Sequence, residues 1–493
     1  MQPAKAEDQD LELLSKIFHL LESERVFKPH KEDKIFPFVP PTELKDLFDL
    51  NLENVQPTSA ENREATLRKV IQYSIKSNHP NYHHEMFAGP DLCGLAASWI
   101  TDALNAMQFT FEAAPVFSLI DTAVLQYLLG LCGFPDGEGV STPGGSVANM
   151  YAIAMARHKL MPELKKNGMY NVQKFKIFTS QDAHYSITKS ANWLGLGEEN
   201  VLRIATDDRC RINVDALDRA IAESIDEGCK PLIVSVTAGT TVFGAIDKLD
   251  RVADVCQRYK VWMHVDGAWA GAALHSRKYR SLLAGLERAD SVSLCPQKIV
   301  GVPLQCSMFL MRHRGLLKDC NAACAEYLFP TDKYYDVAYD TGDLSVQCGR
   351  KIDSFKFWFM LKARGTDWFE KSVDSALDCA QYFKKAISGN PYFKLVLPEY
   401  EFTNICFWFI PKRLQLDPNG GQESDEWWKE IHKVTLALKA KMVKKGNLMV
   451  SYTSNHHKRL GYFFRMVIKC VPAPTTERMD FVVQEMIALG ADM

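Results

Sequence analysis

The sequence predicts an α/β chain: a mostly parallel central sheet with helices on both faces, followed by a smaller C-terminal α+β region. Three observations predict this. Between about residues 96 and 354, short β-rich runs alternate with amphipathic helical stretches, the order that builds right-handed strand–helix–strand crossovers. Residues 232–237 read as a buried strand, as expected in a sheet covered on both faces. Beyond about residue 355 the alternation gives way to a mixed pattern.

Taken in order, residues 9–24 place Leu11, Leu13, Leu14, Ile17, Leu20 and Leu21 at helical spacing, and the Pro-containing stretch 36–41 reads as extended. Residues 1–95 form an arm whose apolar stripe needs another surface, such as a partner subunit. In the large region, 96–354, residues 175–179 and 232–237 read as strands, 249–259 as a helix and 261–265 as the next strand. In the small region, 355–493, strands are expected at 404–410 and 463–468, a polar turn at 419–425 and a helix at 427–444.

Composition narrows the classes of function. At 493 residues the chain has material for about three structural units. A net charge of −2 offers no basic field for nucleic acid. No run approaches the ~18 apolar residues of a membrane span, and the polar, acidic N-terminus lacks the apolar core of a signal peptide. Thirteen cysteines, an odd number with no C-x-x-C pair, fit a reducing compartment; the nearest in sequence, Cys320 and Cys324, are expected one helical turn apart. A cytoplasmic protein is expected, and no metal site.

Four features fall at expected strand ends, where open α/β sheets bind ligands. The loop Thr142-Pro-Gly-Gly-Ser-Val-Ala-Asn149 runs into a helix at 150–159, and Gly145 and Ser146 there can offer backbone amides and a hydroxyl to an anion. It is not a G-x-G-x-x-G, so no dinucleotide site is indicated. Asp266 directly follows the strand 261–265, where a carboxylate needs a cationic partner such as a protonated ring nitrogen. His184 follows the strand ending at Thr179 and can lie against a ring. Lys298, in Ser293-Leu-Cys-Pro-Gln-Lys298, becomes a nucleophile if its surroundings deprotonate it. Each has an ordinary structural explanation alone; the four together, in this order, are far more specific.

Their order and spacing resemble those of the group II pyridoxal-phosphate-dependent amino-acid decarboxylases, from about residue 65 to the C-terminus. Within that group the chain looks most like the glutamate, cysteine sulfinate and aspartate decarboxylase branch. Supporting stretches are Ala238-Gly-Thr-Thr-Val-Phe-Gly-Ala245 with Asp247, Gly301-Val-Pro-Leu-Gln-Cys306, Tyr335-Asp-Val-Ala-Tyr-Asp-Thr-Gly-Asp343 and Phe463-Phe-Arg465. The resemblance implies the type I fold of pyridoxal-phosphate enzymes and a homodimer with active sites at the interface. It implies Lys298 as the Schiff-base lysine, Asp266 on the pyridine nitrogen, Ala268 beneath the ring and His184 above it. Gly145 and Ser146 would hold phosphate, with Thr237 supporting the ring. Tyr335 matches a mobile-loop tyrosine that reaches the neighbouring subunit and returns a proton to the reacting carbon. Arg465 matches the arginine that grips a substrate carboxylate.

Three positions depart from the family pattern. Gln297 stands where relatives carry His; it can donate a hydrogen bond but brings no charge toward the phosphate, so weaker cofactor binding is expected. His83-His-Glu85 replaces Phe-Asn-Gln, and an ionised Glu85 about 4 Å from an acidic substrate would oppose it by roughly 4 kcal/mol at an effective dielectric of 20. Leu344 replaces a lysine near the catalytic loop. The expected reaction is decarboxylation of a small acidic amino acid, cysteine sulfinate to hypotaurine or aspartate to β-alanine. The alternatives are a decarboxylase or decarboxylating oxidase of a non-acidic amino acid, for which Glu85 is the motive, and a non-catalytic paralogue.

Overall fold

The computed structural model describes residues 3–330, 332–416 and 421–493. The first part of the predicted turn at 419–425 lies outside the described residues.

The arm opens with the helix Pro3–Ser23, which begins well before residue 9. Leu11, Leu14 and Phe18 on it are exposed, while Leu20 is buried. Two further helices, Pro41–Asp46 and Ala60–Tyr73, lead to β1 (Tyr82–His83). This strand pairs in parallel with residues 449–450 of the small region, so the arm ends as part of the C-terminal sheet.

The large sheet contains β2 (Glu138–Thr142), β3 (Phe175–Ser180), β4 (Val201–Ile204), β5 (Lys230–Thr237), β6 (Trp262–Gly267), β7 (Ser291–Leu294) and β8 (Ser307–Met311), in the spatial order β2-β8-β7-β6-β5-β3-β4. Four of its pairings are parallel, and β8 alone runs against both neighbours. The period-2 geometry of a strand divides the apolar residues between two cores. On β8, Phe309 and Met311 join a core with Ala148, Ala152, Met155 and Ala156 of the helix Gly145–Leu160. Met308 and Leu310 join the opposite core, with the helices Pro115–Cys132 and Leu249–Tyr259. Helices therefore cover both faces, as the fold class requires.

The small region adds β9 (Phe393–Leu395), β10 (Asn404–Phe409), β11 (Met449–Asn455) and β12 (Leu460–Val467), which with β1 form a sheet in the order β1-β11-β12-β10-β9. Helices Thr366–Ile387 and Asp425–Lys445 pack against it, and Thr476–Leu489 packs on those two helices. The helix predicted at 427–444 is two residues longer at its start because Ser424 caps it, its side chain accepting from Trp427 N. Gly446, at φ +76°, ends it in the left-handed conformation that glycine adopts without strain.

Three expectations need correction. Pro115–Cys132 is an 18-residue helix with mean hydropathy 1.5, long and apolar enough to cross a membrane. It buries Ile120, Val124, Leu128 and Leu129 in the protein core, which is why a core helix passes the test of length and composition. Asp266 does not follow its strand; β6 continues through it to Gly267, held by parallel partners on both sides. Cys320 and Cys324 are not one helical turn apart, because the helix carrying Cys320 stops at Asn321.

Candidate active site

The register of the large sheet makes the site. Thr237 on β5 stands beside Asp266 on β6, which stands beside Ser293 on β7. These three residues form a row across the C-terminal ends of parallel strands, and the loop after β7 brings Lys298 over it. A cavity of about 260 Å³ opens there, lined by Gly144, Gly145, Ser146, Asn149, His184, Thr237, Asp266, Ala268, Gln297 and Lys298 among others.

Asp266 is buried and fully engaged. One oxygen accepts from Asn149 Nδ2 at 2.8 Å; the other accepts from Ala268 N at 3.1 Å and Ser293 Oγ at 3.3 Å. Burial pushes its carboxyl up, but Lys298, His184 and the Asn149 bond outweigh burial and hold it below the usual carboxylate value. Behind it, Asn149 Oδ1 lies 3.0 Å from His264 Nε2 and from Ser293 Oγ. Burial lowers the His264 imidazole to about 4, so it is neutral at pH 7. Asn149, Ser293 and His264 escaped the sequence reading. The available signal was Asn149 itself, one helical turn into the helix that follows the glycine loop.

His184 Nδ1 lies 2.8 Å from Ser186 Oγ, which also accepts from Asn149 Nδ2 at 2.9 Å. Burial lowers the His184 pKa. The imidazole is thus tied to the same network as Asp266 and lines the cavity. Gln297 spends its side-chain oxygen on Cys306 N, which leaves its amide nitrogen as the end able to donate. Thr237 N donates to Asp247 Oδ2 at 2.8 Å, and Ile212 N donates to Asp247 Oδ1 at 2.6 Å. Asp247 is buried, and desolvation raises its carboxyl to about 7; it braces the end of β5.

The glycine loop is shaped by close approach. Gly144 has φ +108°, where a side chain is strained. A Cβ on Gly145 would stand 3.0 Å from Cys295 Sγ and 3.5 Å from the Ala268 methyl. The helix Gly145–Leu160 starts at this point, with its first amides and its positive dipole end at the cavity.

The remaining predicted residues lie around the cavity rather than on its wall. Arg465 is largely buried: Nη1 donates to Thr241 O at 2.9 Å, Nη2 to His84 O at 3.3 Å and Nε to Ser451 Oγ at 3.0 Å. Thr241 lines the cavity, so Arg465 stands directly behind it. Glu85 pairs with His84 Nδ1 at 2.9 Å. That bond is the main reason its carboxyl sits below its ordinary value, and the charges of Arg465 and Lys469 add to it. Its neighbour Met86 lines the cavity. Tyr335 is elsewhere. Its hydroxyl donates to Asp340 Oδ1 and accepts from Lys333 Nζ, each at 3.0 Å, and its ring packs on Phe111. The chain does not bring Tyr335 to its own cavity. Leu344 is half-buried and packs against the core that includes the helix Gly145–Leu160.

This donor set fits pyridoxal phosphate. An ionised carboxylate at the cavity floor, a helix start stripped of Cβ atoms, and a lysine at the rim match a ring nitrogen, a phosphate and a carbonyl. The Gly145–Cys295 approach is a cradle that any larger residue would fill.

Comparison with known proteins agrees. Residues 41–410 match the model of the pyridoxal-dependent decarboxylase conserved domain. The chain is 43% identical to the acidic amino acid decarboxylase GADL1 of Bos taurus over 465 residues, covering 94% of this chain and 87% of the relative. It is 43% identical to the cysteine sulfinic acid decarboxylase of Mus musculus over 486 residues, covering 98% and 96%. The crystal structure of mouse CSAD in apo form superposes with a TM-score of 0.93 at 41% identity over the whole of both chains. A rice TDC structure with PLP and tryptamine shares the fold, with a TM-score of 0.84 at 22% identity, covering 99% of both chains.

Proposed function

Because the chain belongs to the pyridoxal-dependent decarboxylase family, we propose that it decarboxylates a small acidic amino acid, with cysteine sulfinate and aspartate preferred over glutamate. The products would be hypotaurine and β-alanine. The observation that carries this reading is Arg465, a buried guanidinium set against the Thr241 wall of the Lys298 cavity. A permanently charged, forked donor suits a carboxylate or sulfinate. Two relatives named for acidic substrates support the same reading.

When bound, pyridoxal phosphate supplies the electron sink that accepts the pair left behind as CO₂ departs. The chain supplies the rest. Gly145 and Ser146 would hold the phosphate with amides and a hydroxyl at a helix start. Ionised Asp266, fixed by Asn149, Ala268 and Ser293, would keep a proton on the ring nitrogen. Lys298, at the rim, would anchor the cofactor through its Nζ. His184, tied to Ser186, covers one side of the cavity and excludes water there.

Proton return is assigned to Tyr335, which this chain does not bring to its own cavity. In a homodimer, the Tyr335 loop of one protomer would serve the cavity of the other. The exposed Leu11, Leu14, Trp99, Ile100 and Leu104 offer apolar surface for such an assembly. Thirteen cysteines, none in a disulfide among the described residues, fit a cytoplasmic location.

A panel of cysteine sulfinate, cysteate, aspartate and glutamate, assayed for CO₂ release with pyridoxal phosphate supplied, tests the reading. Turnover of cysteine sulfinate or aspartate is the expected result. Turnover confined to neutral or cationic amino acids, or peroxide and aldehyde among the products, would overturn it.

A further inference from the structure

The Glu85 segment is clamped against the loop that carries Lys298. Ala88 N donates to Lys298 O at 2.7 Å, and Gly89 N donates to Val471 O at 3.0 Å. Cys470 N in turn donates to Ile299 O at 3.0 Å. Three segments, around residues 85–89, 298–301 and 468–471, therefore meet beside the cavity. Lys469 lies in the third of them.

Lys469 is 4% exposed, and its buried Nζ has no hydrogen-bond partner among the described residues. Its nearest support is the face of the Tyr82 ring, 4.6 Å from the centroid. A second lysine, Lys439 of the helix Asp425–Lys445, is also buried, its Nζ donating to Val450 O at 2.8 Å. Burial lowers both, Lys439 to about 8 and Lys469 to about 7, and in each the Glu85 carboxylate works against that lowering.

The other groups around Lys469 give it no counter-charge. His83, on the same strand as Tyr82, is driven down to about 3, mainly by burial and then by Lys469. His79 and, from the helix Thr476–Leu489, Arg478 act on His83 in the same direction. Glu85 is the one carboxylate that acts on Lys439, Arg465 and Lys469 alike. It is half exposed and already bonded to His84.

An unpaired buried ammonium is costly to keep. Such a group next to an active-site cavity is a candidate for a role in that site. We propose that Lys469 is a specificity-determining residue: behind the cavity, with Lys439, it offsets the Glu85 carboxylate, so that the positive charge of Arg465 prevails there and the cavity accepts the side-chain carboxylate or sulfinate of a small acidic amino acid. This deepens the acidic-substrate reading and rests on it. It also removes the difficulty that Glu85 raises. The carboxylate that would repel such a substrate is partnered by His84 and outnumbered by buried cations.

The test uses holoenzyme and the substrates aspartate and cysteine sulfinate. Lys469→Met should raise KM about tenfold, the reach of one charge through a medium of intermediate dielectric, and leave kcat within about twofold. Lys469→Arg should restore KM. Glu85→Gln should lower KM for the same substrates, and added to Lys469→Met it should recover most of the loss. The ratio of variant to wild-type KM should be largest below pH 7, where Lys469 is charged, and close toward one as pH rises. Succinate, a diacid without the reacting amine, should protect the wild type against thermal unfolding at lower concentration than it protects Lys469→Met. KM indifferent to Lys469 at every pH overturns this proposal alone. So does an equal fall in kcat and cofactor absorbance that Arg does not rescue. Should Lys469→Met fail to fold, Lys469→Gln provides the same comparison. A wild type that turns over no acidic amino acid overturns both readings.

Discussion

Two buried charges, one in each sheet region, are handled in opposite ways. Asp266, on the large sheet, is held by three donors, and the asparagine that supplies one of them is braced in turn by His264 and Ser293. Lys469, just beyond the last strand of the small sheet, has an aromatic face and no hydrogen-bond partner among the described residues. The first arrangement is complete before any ligand arrives. Preorganised donors around a fixed charge suit a resident cofactor, whose ring nitrogen never leaves. The second is incomplete, as befits a charge that acts on a neighbouring carboxylate through space and touches no ligand. The difference teaches that burial alone does not identify a charge's role; the state of its hydrogen bonds does.

The largest effect that tests this comparison belongs to the cofactor side. Lys298→Ala should lower kcat on the order of 10³-fold or more, the scale of removing an essential catalytic group, and abolish the visible absorbance of bound cofactor. Activity within tenfold of wild type would break the assignment of this cavity. Asp266→Asn should come next, with kcat down roughly 10²- to 10³-fold, as when one preorganised polar partner is removed. The cofactor's absorbance should persist, shifted, because the phosphate and lysine contacts remain. The acid limb of stability should change too. A carboxyl whose folded pKa is depressed contributes stability above its unfolded value and loses it as pH falls through the folded one. Asp266→Asn should therefore lose stability near neutral pH and show less further loss below about pH 4 than the wild type.

The substrate side predicts the reverse sign. Lys469 is lowered by burial to about 7 from an ordinary 10.5, so the unfolded chain binds more protons between those values. Stability thus rises with pH across that window. Lys469→Met should be more stable than wild type by about 1–4 kcal/mol, the range seen when buried charges give way to apolar groups. The gain should be full below pH 7 and shrink as pH climbs toward 10.5. Thermal melts of the apo forms at pH 6 and pH 9 measure it; destabilisation at pH 6 would show Lys469 to be a structural support instead. The smallest effect is expected at Gln297. Its oxygen is held by Cys306 N, so Gln297→His should tighten cofactor binding only about two- to fivefold, the worth of one charge-assisted hydrogen bond at a partly solvated site. Titration of apo protein with pyridoxal phosphate measures it.

Legibility in the sequence followed the range of the interaction involved. Buried strands such as β5 and β10 are local apolar runs, and residues 232–237 and 404–410 identify them without any partner. Strand ends were less sharp. β6 runs past Val265 because parallel hydrogen bonds from β5 and β7 carry it through Asp266, and no local pattern records a neighbour's backbone. The four features with recognisable chemistry, the Gly144-Gly145 loop, His184, Asp266 and Lys298, stood out by type and order. Asn149 and His264 did not, since an asparagine in a helix and a histidine in a strand gain meaning only when the two touch.

The α/β architecture was legible in the sequence as periodicity, and the cofactor and reaction class through the family resemblance that an ordered set of residues carries. The tertiary structure decided which groups share the cavity. It placed Thr237, Asp266 and Ser293 in one row through strand register. It set Tyr335 on Phe111, away from the chain's own Lys298. It also bound Glu85 to His84 and set its carboxyl under the charges of Arg465 and Lys469. Charges act through space, and residues 85, 439, 465 and 469 become neighbours only when β1 pairs with β11 and the chain closes the small sheet.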